Sequence, residues 1–158
     1  AGVVLPWHCD RGDRNTVEPV EPLPCNWSEH MRVLGSQIPM LLDSLSLEED
    51  CHIALAGDLN TDLSPPYSRN SYGPSIAGRQ TWHECFAERN LVCHTKNLCY
   101  PNPPKRKLID HICTNLGEPV GIHLWSGEDG IKPRLSDHPG VVATFAVKRV
   151  TQSTAGGL

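Results

Sequence analysis

The feature that most constrains this sequence is a change of apolar period near residue 50. From Ser28 onward, Met31, Leu34, Ile38, Leu41, Leu42 and Leu45 recur at spacings of three and four. That is the stripe of a helix with one buried face, and Ser28 is placed to cap its amino end. Pro39 interrupts the stripe and predicts either a kink or two abutting helices. After the acidic turn Glu48-Glu49-Asp50, the run His52-Ile53-Ala54-Leu55-Ala56 is compact, apolar and closed by Gly57, the pattern of a buried strand.

The same reading continues along the chain. Residues 2–5 predict a short buried strand, and 79–90 a helix with Trp82, Cys85 and Phe86 inward. Residues 91–93, 108–114, 123–125 and 141–147 predict further strands. Long polar loops, rich in Pro, Ser and Gly, cover 9–27 and 62–78. Strand, helix, strand, helix and then several strands specify a layered α/β domain over 1–147, followed by a flexible tail at 148–158.

Composition narrows the function classes. With 158 residues the chain suits one domain, and 39% hydrophobic against 20% charged residues is enough to form a core. No apolar run approaches the roughly 20 residues of a membrane span. The net charge of -4 is not the basic footprint usual for nucleic-acid binders, and the one basic cluster, Lys105-Arg106-Lys107, reads as a solvated loop. Seven cysteines, an odd number with no CxxC pair, argue against a disulfide scaffold and for a reducing, cytoplasmic compartment.

Three stretches carry chemistry, each setting polar groups beside an apolar strand. Ala56-Gly57-Asp58-Leu59-Asn60 delivers a carboxylate and, two residues on, a carboxamide; in an extended chain both point to one side. Asp58 can hold a cation or accept a proton, and Asn60 can donate to an oxyanion, although Asp-x-Asn also serves plain turns. In Leu108-Ile109-Asp110-His111-Ile112, alternation groups Asp110 with Leu108 and Ile112, so the carboxylate needs a cationic or imidazole partner. His111, on the opposite face, reads as solvent-facing or structural. In Leu135-Ser136-Asp137-His138-Pro139, the carboxylate suits a hard cation such as Mg²⁺ and the imidazole suits proton transfer near neutrality.

Together, GDLN, IDHI and SDHPGV resemble the Gly-Asp-x-Asn, Ile-Asp-His and Ser-Asp-His signatures of the endonuclease/exonuclease/phosphatase superfamily, the DNase I-like fold. Residues 32–45, with Gln37, also resemble the helix before the family's Gly-Asp-x-Asn strand. The resemblance implies the C-terminal part of a four-layer α/β sandwich and Mg²⁺- or Mn²⁺-dependent hydrolysis of a phosphate ester. It implies that Asp58 orients or deprotonates the attacking water and that Asn60 binds a phosphoryl oxygen. His138 would stabilise the transition state or move a proton, Asp110 would fix its tautomer, and Asp137 would lie at the metal. The substrate would be a phosphodiester, nucleic acid being one candidate. The family's metal-binding Glu and an Asn belong to an N-terminal half that has no counterpart before Ala1. That half is therefore an expected partner, and the chain alone is expected to be weakly active or inactive.

Two other readings compete. One is a phosphoesterase-like domain kept for binding. The other is a zinc module built on His83, Cys85, Cys93, His94 and Cys99, whose spacing is irregular for zinc. His8 reads as a loop histidine, and Trp7, Trp27 and Tyr72 as either stacking platforms or packing residues.

Overall fold

The computed structural model describes residues 2–4, 27–45, 52–67, 72–100, 106–125 and 138–146. The elements are β1 (Gly2–Val4), α1 (Ser28–Arg32), a π-helical turn (Val33–Gln37), α2 (Ile38–Leu45), β2 (Ala54–Asp58), α3 (Ile76–Ala87), β3 (Val92–Cys93), β4 (Asp110–Thr114), β5 (Gly121–Trp125) and β6 (Gly140–Thr144). Helices and strands are mixed, so the described residues form an α/β structure. The expected loop 9–27, apart from Trp27, and the tail 148–158 lie outside the described residues, as do Trp7, His8, Lys105 and Asp137.

The first helical stretch divides into α1 and α2 through the π-helical turn, as the interruption by Pro39 led one to expect. The backbone N–H of Ile38 bonds to the carbonyl of Val33, one residue further back than in an α-helix. The wider turn just before Pro39 accommodates a ring that would otherwise crowd the carbonyl four residues back. Leu34, Ile38 and Leu42 stay on one buried face across this transition.

The helix predicted over 79–90 begins earlier, at Ile76, because the Ser75 hydroxyl accepts from the backbone N–H of Gly78 at 3.2 Å. That shortens the preceding loop. Gly78 is required for packing: a Cβ there would sit 2.8 Å from Met31 Sδ and 2.9 Å from Pro74 Cβ. The core joins both helical stretches to the sheet. Leu34, Leu42, Leu55, Leu59, Leu63, Trp82 and Phe86 all lie in one buried cluster, and burying side chains of this size stabilises by ~1.5–3 kcal/mol each.

Four strands form a mixed sheet in the order β1-β2-β4-β3, with β1 parallel to β2 and the other pairs antiparallel. β5 and β6 form a separate antiparallel pair, and β6 lies alongside β4. β2 runs further than the apolar run predicted, through Gly57 to Asp58. Gly57 makes this extension possible with φ 148°, a conformation that side chains with a Cβ rarely adopt. β4 starts later than expected, at Asp110, because Leu108 N–H turns away to the carbonyl of Leu98 and Cys99 bridges Lys107.

Candidate active site

β4 alternates as a strand should, but its inward face is the one that carries His111. His111 and Cys113 are buried, while Asp110 and Ile112 are half-buried on the other face. Asp110 keeps Ile112 on its face, as alternation grouped them, and His111, read as solvent-facing or structural, is the buried one. Burial of His111 is tolerated because it has core partners: its Nε2 meets the Thr61 carbonyl at 2.8 Å and its Nδ1 meets Thr95 Oγ1 at 3.0 Å. It is a structural histidine. Burial pulls its pKa down, but the hydrogen bond and charge of the Cys93 sulfur, with smaller contributions from Thr61 and Asp110, outweigh this and raise it. Cys93 in turn is pulled well below the usual thiol range by its hydrogen bond with Cys113, against burial and with help from His111.

With His111 facing the core, Asp110 is left on the site face. Asp58 of β2 is its direct partner across the β2–β4 ladder. The Leu59 N–H donates to the Ile109 carbonyl at 2.9 Å, which makes Leu59 and Ile109 a hydrogen-bonded pair. Asp58 and Asp110, the next pair along, therefore form a narrow pair, with Cα atoms ~4.5 Å apart and side chains at their closest. Like charges directly opposite each other destabilise a ladder. Two carboxylates held this way call for a positive group between them.

His138 brings an imidazole to them. It lies two residues before β6, and the approach of β6 to β4 brings it in. Its Nδ1 is 3.1 Å from Asp110 Oδ2 and 3.9 Å from Asp58 Oδ2. One ligand atom from each of Asp58, Asp110 and His138 falls within 4.8 Å of the others, the one such His/Cys/Asp/Glu group among the described residues. A fourth side chain was not foreseen: the Tyr100 hydroxyl donates to Asp110 Oδ2 at 3.0 Å. Nothing in the local pattern signals it, because Tyr100 arrives through the Cys99–Lys107 bridge and its own N–H bond to the Arg106 carbonyl.

Asn60 departs from the geometry expected of it. The chain leaves the extended conformation after Asp58, and Asn60 has φ 49°. Its backbone N–H donates to Asp58 Oδ1 at 2.8 Å, so the pair forms an Asx turn rather than two side chains on one strand face. Asn tolerates that backbone region better than most residues. The next residue, Thr61, is pinned between two buried histidines: its hydroxyl lies 3.3 Å from His30 Nε2, and its carbonyl meets His111. Trp82 Nε1 donates to the same His30 nitrogen at 3.3 Å. The loop that carries Asn60 is thus braced from the core.

The competing zinc set does not assemble, since those residues form no group of three convergent ligands among the described residues. His83 instead bonds the Tyr67 hydroxyl, and His94 bonds Thr114 Oγ1. Cys85, Cys93, Cys99 and Cys113 are free thiols. Trp27 packs edge-on against both His30 and Tyr72, with ring centroids 5.2 and 5.5 Å away, while Tyr72 stays partly exposed. No helix among the described residues is long and apolar enough to cross a membrane. No protein-family model and no curated protein matches the chain.

Proposed function

We propose that this chain belongs to a metal-dependent phosphoesterase acting on a phosphodiester, and that its α/β structure is the C-terminal part of a four-layer DNase I-like sandwich. The observation that carries this reading is the convergence of Asp58, Asp110 and His138, drawn from three separate strand ends, within 4.8 Å. Half-buried carboxylate oxygens facing each other suit a hard divalent cation such as Mg²⁺ or Mn²⁺, which keeps waters and takes its remaining ligands from phosphate. Asp58, with Asp110 in reach, would hold it; Asp137, adjacent in sequence to His138, is a further candidate ligand. When bound, the cation supplies neutralisation of charge on a phosphoryl oxygen.

The chain's own residues supply the rest. The Asp58 carboxylate orients the attacking water and accepts its proton. Asn60, in the loop braced by Thr61, donates a hydrogen bond to a phosphoryl oxygen as its charge grows. With Asp110 as acceptor at 3.1 Å, His138 carries its proton on Nδ1 and presents Nε2 to the reacting group. Asp110 therefore fixes the tautomer, the part a carboxylate plays beside other catalytic histidines.

The test is Mg²⁺-dependent hydrolysis of bis-p-nitrophenyl phosphate by this chain and by a form extended upstream in its native reading frame, each beside His138→Ala. Activity lost with EDTA and reduced about a hundredfold or more in His138→Ala is expected, the scale of a general acid-base contribution. A folded extended form that hydrolyses neither this ester nor a panel of phosphodiesters would move the assignment to a non-catalytic binding domain.

A further inference from the structure

The Asp58, Asp110 and His138 cluster admits two arrangements. Asp110 can give its oxygens to a cation, or it can give them to the imidazole. We infer that Tyr100 decides between them: it is a positioning residue whose hydroxyl holds Asp110 Oδ2 as the acceptor of His138 and leaves the cation to Asp58. This deepens the phosphoesterase reading and rests on it for its catalytic consequence, but not for its geometry.

Three observations support the inference. Asp110 Oδ2 is met by Tyr100 Oη at 3.0 Å and by His138 Nδ1 at 3.1 Å, so one oxygen carries both bonds. Two donors converging on one oxygen fix the carboxylate about its χ2 axis, where one donor alone leaves it free to swing. The Tyr100 ring also lies beside the imidazole, with centroids 6.3 Å apart and planes tilted by 48°, so the phenol flanks the ring that it helps to orient. Finally, its backbone is tied across the chain: the Tyr100 N–H bonds the Arg106 carbonyl at 2.8 Å, next to the Cys99–Lys107 bridge.

The electrostatics agree with the geometry. Burial first, then the charge of Asp110 and the hydrogen bond to it, push the Tyr100 phenol well above its ordinary range, with Asp58 adding to the shift. Tyr100 therefore remains a neutral donor. Sequence alternation could not have paired Tyr100 with Asp110, ten positions apart across a loop.

The experiment uses the full chain labelled with ¹⁵N. Long-range ¹H–¹⁵N correlation spectra of the histidine rings are recorded for wild type and Tyr100→Phe, and hydrolysis kinetics are measured on the same samples. In wild type, His138 is expected as the Nδ1–H tautomer. In Tyr100→Phe its nitrogen shifts move toward the Nε2–H form that free imidazole favours, while the backbone spectrum keeps its dispersion. Where hydrolysis is measurable, kcat falls about 10–100-fold, the usual loss when an outer partner of an active-site group is removed, with KM nearly unchanged.

If His138 keeps the Nδ1–H tautomer in a folded Tyr100→Phe, the inference is overturned, whatever the kinetics. It is equally overturned if wild type lacks that tautomer. A tautomer that responds to Tyr100→Phe supports the positioning role whether or not this chain hydrolyses the ester, whereas the phosphoesterase reading fails only if the folded, upstream-extended form is silent, so the two failures are separable. Should Tyr100→Phe not fold, 3-fluorotyrosine at position 100 keeps the shape and hydroxyl while strengthening the donor. The Nδ1–H shift is then expected to move, and an unmoved shift rejects the role.

Discussion

Replacing Asp58 by Asn should make the metal-free protein more stable while abolishing the proposed activity. The perturbation is close to isosteric, and the carboxamide keeps an oxygen to accept the Asn60 N–H that Asp58 Oδ1 now accepts at 2.8 Å. What it removes is one of two like charges whose nearest ligand oxygens lie within 4.8 Å of each other. Two unit charges at that separation repel by ~3.5 kcal/mol at an effective dielectric of ~20, and by ~0.9 kcal/mol in bulk water. The side chains are 21% and 19% exposed, so the repulsion lies between those limits. Against it, the bond to Asn60 falls from charge-assisted to neutral, a loss of ~1 kcal/mol. His138 Nδ1, 3.9 Å from Asp58, loses part of its attraction as well.

The balance is a gain of ~1 kcal/mol for Asp58→Asn, the repulsion relieved less the two attractions weakened. With a urea dependence of ~1–3 kcal/mol per molar, this raises the unfolding midpoint by ~0.3–1 M. The assay is urea unfolding in EDTA, followed by circular dichroism, and then repeated with excess Mg²⁺ or Mn²⁺. Added metal should reverse the order, because only a protein that binds the cation gains stability by mass action. A midpoint in EDTA that is unchanged or lower in Asp58→Asn would refute the claim that repulsion between these carboxylates outweighs what their other partners return. Stability gained where activity is lost is the expected signature of a functional site.

Other outcomes follow from the packing and from a half-buried histidine. Gly78→Ala should destabilise by ~1–3 kcal/mol, as overpacking does, because its Cβ would meet Met31 Sδ at 2.8 Å and Pro74 Cβ at 2.9 Å; thermal unfolding measures it, and an unchanged midpoint would mean that α1 and α3 part freely. His83 is pushed below its ordinary value of 6.5 by burial first and then by the Lys96 charge, so the unfolded chain binds a proton there more readily than the folded one. Stability contributed by this neutral imidazole is present above that ordinary value and lost as pH falls below it. His83→Gln should accordingly lose less thermal stability than wild type between about pH 7 and 5, and an equal loss in both would rule out His83 as a source of acid sensitivity.

Much of the local structure was legible from side-chain period and chemistry. The stripe from Met31 to Leu45 does form helix with Leu34, Ile38 and Leu42 buried, and the apolar run ending at Gly57 does form a strand. Periodicity signals such elements because burying one face is what stabilises them, and that demand is written residue by residue. Boundaries were less legible where a single local bond decides them. The Ser75 cap starts α3 at Ile76, ahead of the predicted onset at Arg79, and the division between α1 and α2 falls in a π turn ahead of Pro39.

The sequence by itself singled out Asp58, Asn60, Asp110 and His138 as polar groups set beside apolar strands, where desolvation is costly without a partner. Only the tertiary structure decided how they meet. Ladder register sets Asp58 against Asp110, β6 brings His138 between them, and the Cys99–Lys107 bridge delivers Tyr100. It also decided which face of β4 looks inward, because His111 has Thr61 and Thr95 to satisfy it. The physical reason is range. Helix and strand preference act over a few neighbouring residues, whereas register and cross-strand charge depend on partners far along the chain, such as Thr61 for His111, 50 positions away.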